Sequence, residues 1–138
     1  MSTSSEHGTD ADDIIALGLT RDPKHTATYQ LALASDRADV RIAAVRALGW
    51  LRSSTVSTLV LPMLADANED VRRWAASSLA LCGQGLVAGK IRRYMMSESE
   101  SSVRASIVRT LGWLKDEESI DDLKRWAKDD ASGDVRAA

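Results

Sequence analysis

The chain has 138 residues, a formal net charge of −2, 44% apolar and 28% charged residues, and one cysteine. A chain of that size buries enough surface to fold without a metal or a disulfide, and a lone Cys82 excludes an internal disulfide framework and fits a reducing compartment. Twenty alanines with only two prolines, eight glycines and no phenylalanine favour helices that approach closely through small side chains.

The opening MSTSSEHGTDADD is polar and acidic, with neither the basic nor the apolar region of a signal peptide. Residues 1–11 are expected to form a disordered acidic tail. No apolar run approaches the roughly 18–20 residues needed to span a bilayer, and a cytoplasmic location is expected. The amphipathic DDIIALGL (12–19) begins a segment, 12–25, that reads as an N-terminal cap helix. After it, four amphipathic stretches alternate with polar turns: TATYQLALA (26–34) before SDRAD, TVSTLVLPML (55–64) before ADANED, LVAGKIRRYMM (86–96) before SESESS, and SIDDLKRWA (119–127) before KDDASGD. A second helix follows each turn and opens with Val-Arg.

Those pairs are Val40-Arg41, Val71-Arg72, Val103-Arg104 and Val135-Arg136, spaced by 31, 32 and 32 residues. Self-similarity at such a period marks an array of stacked supersecondary units. Taking each valine as offset zero, offsets 0, 4, 8 and 11 read Val40, Ala44, Leu48, Leu51, then Val71, Ala75, Leu79, Cys82, then Val103, Ile107, Leu111, Leu114. At 100° per residue these fall within about 80° of one another, one apolar stripe per helix. The phrase VRALGWL (45–51) therefore returns as VRTLGWL (108–114) because the same helix recurs two units later. Gly49 and Gly112 sit near its end, where small residues ease close packing or termination. The units span 26–52, 53–84, 85–115 and an incomplete 116–138.

This pattern resembles the HEAT-repeat family, and within it the short-repeat branch known as PBS-lyase HEAT-like repeats. The stretch LVLPMLADANEDVRRWAASSLALCG carries the likeness best, with a proline late in the first helix, an acid in the turn, then Val-Arg and an alanine pair. Pro62 should bend that first helix. The resemblance implies an all-α, right-handed α-α superhelix (solenoid) of about three and a half helical hairpins, with the second helices lining the concave surface. It also implies a ladder of charge-assisted hydrogen bonds along the array, drawn from Asp36 and Arg41, Asp66 and Arg72, Glu98 and Arg104, and Asp130 and Arg136.

On the second helices, Trp50 and Trp113 fall at offset 10 and Trp74 at offset 3, at about 280° and 300° on a wheel whose buried stripe spans 0–80°. Arg46 and Arg109 lie beside them at offset 6, and Arg73 at offset 2. Tryptophan and arginine dominate interface hot spots, so these six residues form the candidate partner-binding stripe. Arg92, Arg93 and Tyr94 with Lys90 make a small basic patch of a kind common on any helix. Cys82 takes a core offset. His7 and His25 have no second ligand at metal spacing. No catalytic constellation, phosphate loop or cofactor motif is discernible.

The charge is unevenly spread: residues 1–13 carry −4 and 116–138 another −4, while 14–115 hold 14 bases against eight acids, a net +6. The leading expectation is a non-catalytic protein-interaction scaffold using the second helices. A phycobilin lyase-like subunit or chromophore-protein chaperone is an alternative implied by the family branch, and nucleic-acid binding through the basic middle is a second. DVRAA opens a fourth second helix just before the sequence stops. A piece of a longer array is the economical expectation there, and self-association through the incomplete unit is a further one.

Overall fold

The computed structural model describes residues 10–137 apart from 84, 116 and 131. The expected acidic tail lies outside the described residues except for its last two. Every regular element among the described residues is helical: α1 (Ala11–Gly18), α2 (Thr26–Ala32), α3 (Ala38–Trp50), α4 (Ser57–Val60), α5 (Glu69–Cys82), α6 (Gly85–Ser97), α7 (Ser101–Trp113), α8 (Ile120–Asp129) and α9 (Gly133–Ala137), with short 3₁₀ turns at Pro23–His25, Ser54–Val56, Leu61–Ala65 and Glu117–Ser119.

The helices stack as antiparallel pairs, and the second helices α3, α5, α7 and α9 run side by side in one continuous layer. The first helices α2, α6 and α8 pack chiefly on their own second helices, while α4 sits between α3 and α5 and the 3₁₀ stretch after it packs on α5. A double layer whose members approach more closely on one side curves toward that side, so the second helices line the inner surface. Their small residues make the approach possible. A β-carbon added to Gly49 would stand 2.8 Å from the β-carbon of Ser78 on the next second helix. At Gly18 the corresponding neighbour is Ala47, at 2.6 Å.

That second contact shows what α1 is. It packs on α3 as α3 packs on α5, and so takes the place of a second helix in the layer. Ala16-Leu17-Gly18 matches Ala47-Leu48-Gly49 at a distance of 31, which places Ala11 at offset 2 and Gly18 at offset 9. The same chain reversal ends three of these helices. The N–H groups of Arg21, Arg52 and Lys115 donate to the carbonyls of Gly18, Gly49 and Gly112 at 2.9, 3.0 and 3.2 Å, and the three basic residues sit at φ 55°, 51° and 54°. Gly49 thus serves close packing, while termination falls to the left-handed basic residue three positions on.

Offsets 0, 4 and 8 are buried in all three full units, whereas at offset 11 only Cys82 is buried and Leu51 and Leu114 are half-buried. The core is wider than the stripe. Ala43, Ala47, Ser78, Ser106 and Thr110, at offsets 3 and 7, are buried as well, because each inner helix is flanked by two others besides its own partner. Pro62 does more than bend its helix. With no N–H to donate and a ring that crowds the preceding turn, it leaves four residues of α-helix, Ser57–Val60, before the chain tightens to 3₁₀ over Leu61–Ala65. Val56, Val60 and Leu64 still reach the core.

Candidate interaction face and its arginine ladder

The turn between the two helices of a unit is built on one side chain. Asp66 Oδ2 accepts the N–H of Asn68 (2.9 Å), Glu98 Oε2 that of Glu100 (3.0 Å), and Asp130 Oδ1 that of Ser132 (2.9 Å). Each carboxylate also receives a two-pronged guanidinium from the unit before. Arg41 meets Asp66 at 3.0 and 3.1 Å, Arg72 meets Glu98 at 2.8 and 3.1 Å, and Arg104 meets Asp130 at 3.2 Å through both prongs. The remaining Nη1 of each arginine turns back to its own unit, donating to the carbonyls of Ser35, Asp66, Glu98 and, for Arg136, Asp130. Every rung therefore ties two turns together. The acids are well covered, with the side chains of Asp66, Glu98 and Asp130 at 12%, 5% and 9% exposure. Burial would raise the Asp130 carboxyl, but the Ser132 N–H and the Arg104 guanidinium more than reverse it and hold it below the ordinary 3.8.

The pairing runs between units, from an arginine to the acid 25 or 26 residues later, whereas the six-residue spacing marks a bond to backbone. Asp36 stands outside the ladder. It is exposed, and Ser35 holds the equivalent place six residues before Arg41, its carbonyl accepting from the Arg41 guanidinium and its hydroxyl oxygen from the N–H of Arg37. Arg136 is exposed, and its guanidinium donates to the backbone carbonyl of Asp130 at 2.6 Å.

On the inner surface the structure brings Arg46, Trp50 and Trp74 together. The Arg46 guanidinium carbon lies 4.4 Å from the ring centre of Trp74 and 5.3 Å from that of Trp50. Two indoles thus flank one cation, one from its own helix and one from the next. Arg46 makes no hydrogen bond or ion pair among the described residues, and its Nε is buried without an acceptor. Trp50 also leans on the preceding unit, since a β-carbon on Gly18 would meet its ring at 3.1 Å. The facing of offset 6 by offset 3 of the next unit is what makes the stack. It could have been read from the repeat had the two sides of the helix been assigned to the two neighbours.

The other stripe residues fall elsewhere. Arg73 is held by Asp70 at 2.7 Å on its own helix. Arg109 and Trp113, the latter 69% exposed, line an open groove of about 540 Å³ between α7 and α8 with Val108, Gly112, Leu123 and Lys124. In the basic patch Arg92 is paired with Glu118 and Asp122 (3.3 and 3.6 Å), and Lys90, Arg93 and Tyr94 edge a shallow groove of about 370 Å³ on the first-helix side. Trp126 packs into the core.

Buried polar groups also escaped the sequence reading. Thr110 donates its hydroxyl to the Ala76 carbonyl at 2.6 Å, linking α7 to α5. Tyr29 is fully buried with its hydroxyl unpartnered among the described residues, and burial pushes its phenol up. Burial likewise pushes the Cys82 thiol up to about 11, which makes it an unreactive core group. Among the described residues no cluster of His, Cys, Asp and Glu could hold a metal ion. His7 lies outside them. No helix among them is long and apolar enough to cross a membrane.

The family model for HEAT repeats matches residues 13–80 and again 57–138. The two matches overlap, as a periodic pattern does when it slides along by whole units. No curated protein matches the chain. Paired helices at a 31- to 32-residue period, tied rung by rung through Val-Arg, and a match over nearly the whole length place this chain in the HEAT-repeat family.

Proposed function

We propose that this chain is a non-catalytic protein-interaction scaffold whose inner surface binds an acidic segment of a partner at Arg46, with Trp50 and Trp74 as its walls. HEAT repeats are in general protein-interaction scaffolds, and stacked units offer extended concave faces. The observation that carries the finer reading is the guanidinium held between two indoles with no acceptor of its own. The two indoles crowd the guanidinium and its Nε is shut in, which leaves the two Nη groups for a ligand. A carboxylate suits them, because it accepts two parallel N–H bonds from a guanidinium edge. Dispersion from the flanking indoles and exclusion of water would strengthen such a bond.

The nucleic-acid alternative draws less support, because at least five of the eleven arginines of the basic middle are committed to acids of the chain. Arg41, Arg72 and Arg104 serve the ladder, Arg73 is held by Asp70, and Arg92 by Glu118 and Asp122. The covered Cys82 gives no support to the attachment of a bilin chromophore.

Selection of displayed random peptides on the wild-type protein tests the reading. Enriched sequences should contain aspartate or glutamate, lose binding to Arg46→Gln and to Trp74→Ala, and retain it on Arg93→Gln. Peptides without acids, or peptides indifferent to Arg46, would overturn it.

A further inference from the structure

Arg46 belongs to a row. Ser77 and Arg109 repeat its place, offset 6, on the next two inner helices, α5 and α7, and both are exposed. Ser77 makes no hydrogen bond among the described residues. Arg109 has no acid within ion-pair distance among them, and its guanidinium reaches the Ser106 hydroxyl at 3.4 Å. Offsets 2 to 10 of α3, α5 and α7 together carry three arginines, Arg46, Arg73 and Arg109, and no acid. Asp70 answers Arg73 from the start of its own helix. Uncompensated positive charge is therefore left at two places, one unit to either side of Ser77. Where Trp74 stands three residues after Val71, the sequence has Ala138 three residues after Val135, which brings neither ring nor charge to Arg109.

We propose that the partner's acidic segment lies extended across the inner helices from α3 to α7, with one carboxylate on Arg46 and a second, about six residues along, on Arg109. The inference rests on the Arg46 reading above and gives that ligand a direction, a conformation and a spacing. Neighbouring helix axes lie about 8–10 Å apart, so two steps of the layer set the arginines about 16–20 Å apart. Six residues of extended chain span about 19–20 Å, whereas six residues of α-helix cover only about 9 Å. A strand returns to one face every second residue and a polyproline II segment every third, so the sixth residue faces the same way in both. Ser77 suits the middle of the path. Its small side chain lets a backbone cross close to α5, and its hydroxyl can pair with a peptide group there. Extended backbone has such groups to offer, while a helix has its own engaged. Once the first carboxylate is held, the second contact is intramolecular, so even an exposed two-pronged pair adds to affinity.

Peptides of serine and threonine, about sixteen residues long, carry one glutamate or two separated by one, five or nine residues. Each is titrated into the ¹⁵N-labelled protein and read at the tryptophan indoles. The single glutamate should shift Trp50 and Trp74. Two glutamates separated by five residues should bind at least about fivefold more tightly, beyond the roughly twofold gain that a second identical acid gives by statistics. They should also shift Trp113, four residues along the helix from Arg109. Separations of one and nine should bring no such gain. On Arg109→Gln, with helicity checked by circular dichroism, the gain should vanish. On Arg93→Gln, on the first-helix side, it should persist. Equal affinities at all three separations, or a gain that survives Arg109→Gln, would overturn the two-point contact while leaving single-acid binding at Arg46 in place. A single-glutamate peptide that binds and shifts neither Trp50 nor Trp74, or that does not bind at all, would sink the Arg46 reading and this inference with it.

Discussion

Gly49 lies so close to Ser78 that a β-carbon on the glycine would stand 2.8 Å from that of the serine and 3.1 Å from its Cα. The same glycine two units later, Gly112, has nothing within 4 Å among the described residues. Alanine substitution should separate the two. Gly49→Ala pushes two inner helices apart and should cost about 1–3 kcal/mol. Gly112→Ala replaces a poor helix former with the best one and should stabilise by up to about 1 kcal/mol. Urea unfolding at low protein concentration reads both values, and equal signs would refute the close-packing account of Gly49.

Glu98 is the best-covered acid of the ladder, and it serves both the Arg72 guanidinium and the Glu100 N–H. Removing its charge strands a part-buried arginine. Glu98→Gln should lose about 2–3 kcal/mol. Asp36→Asn, on an exposed acid outside the ladder, should stay within about 0.5 kcal/mol. Similar losses for the two would mean that the rungs do not hold the units together.

Asp130 gives the ladder a pH signature. Its carboxyl is held below the ordinary 3.8 in the folded chain. The folded state therefore binds fewer protons than the unfolded state, and the stability this gives is fully present above about pH 4 to 5. It is lost as the pH falls through the depressed folded value. Melting temperatures from pH 7 down to about pH 2.5 should show a shallower acid decline in Asp130→Asn than in the wild type. An identical decline would remove Asp130 from the account.

Arg52 occupies left-handed backbone at φ 51° with a bulky side chain. Glycine adopts that conformation without the β-carbon clash. Arg52→Gly should therefore raise stability by roughly 0.5–1 kcal/mol, and Arg21→Gly should follow it. A loss in both would show that the arginine side chains hold these turns.

The period, the helix pairing and the core at offsets 0, 4 and 8 were legible in the sequence, because stacking identical units imposes the same burial at the same place in each. The lateral faces were harder to read. Ala43, Ala47 and Ser78 are buried only because another second helix lies beside them, and a one-stripe wheel has no place for that neighbour. The ladder was visible as residue types but paired differently. Spacing along the chain suggested six-residue partners, whereas the carboxylate of one unit faces the arginine of the unit before. Asp36 misled because it is an acid near the right place, while the turn depends on the position that Ser35 occupies. Of the binding stripe, Arg46, Trp50 and Trp74 converge. Arg73 is drawn off by Asp70 at the start of its own helix, and Arg109 lacks the tryptophan that Trp74 provides for Arg46.

The four indole N–H groups offer four separate reporters. Trp50 and Trp74 wall Arg46, Trp113 stands exposed one unit further on, and Trp126 is in the core. Titrating the ¹⁵N-labelled protein with a selected acidic peptide should shift the Trp50 and Trp74 indole resonances together to saturation and leave Trp126 in place. Saturable binding that moves neither Trp50 nor Trp74 would contradict the assignment of this face.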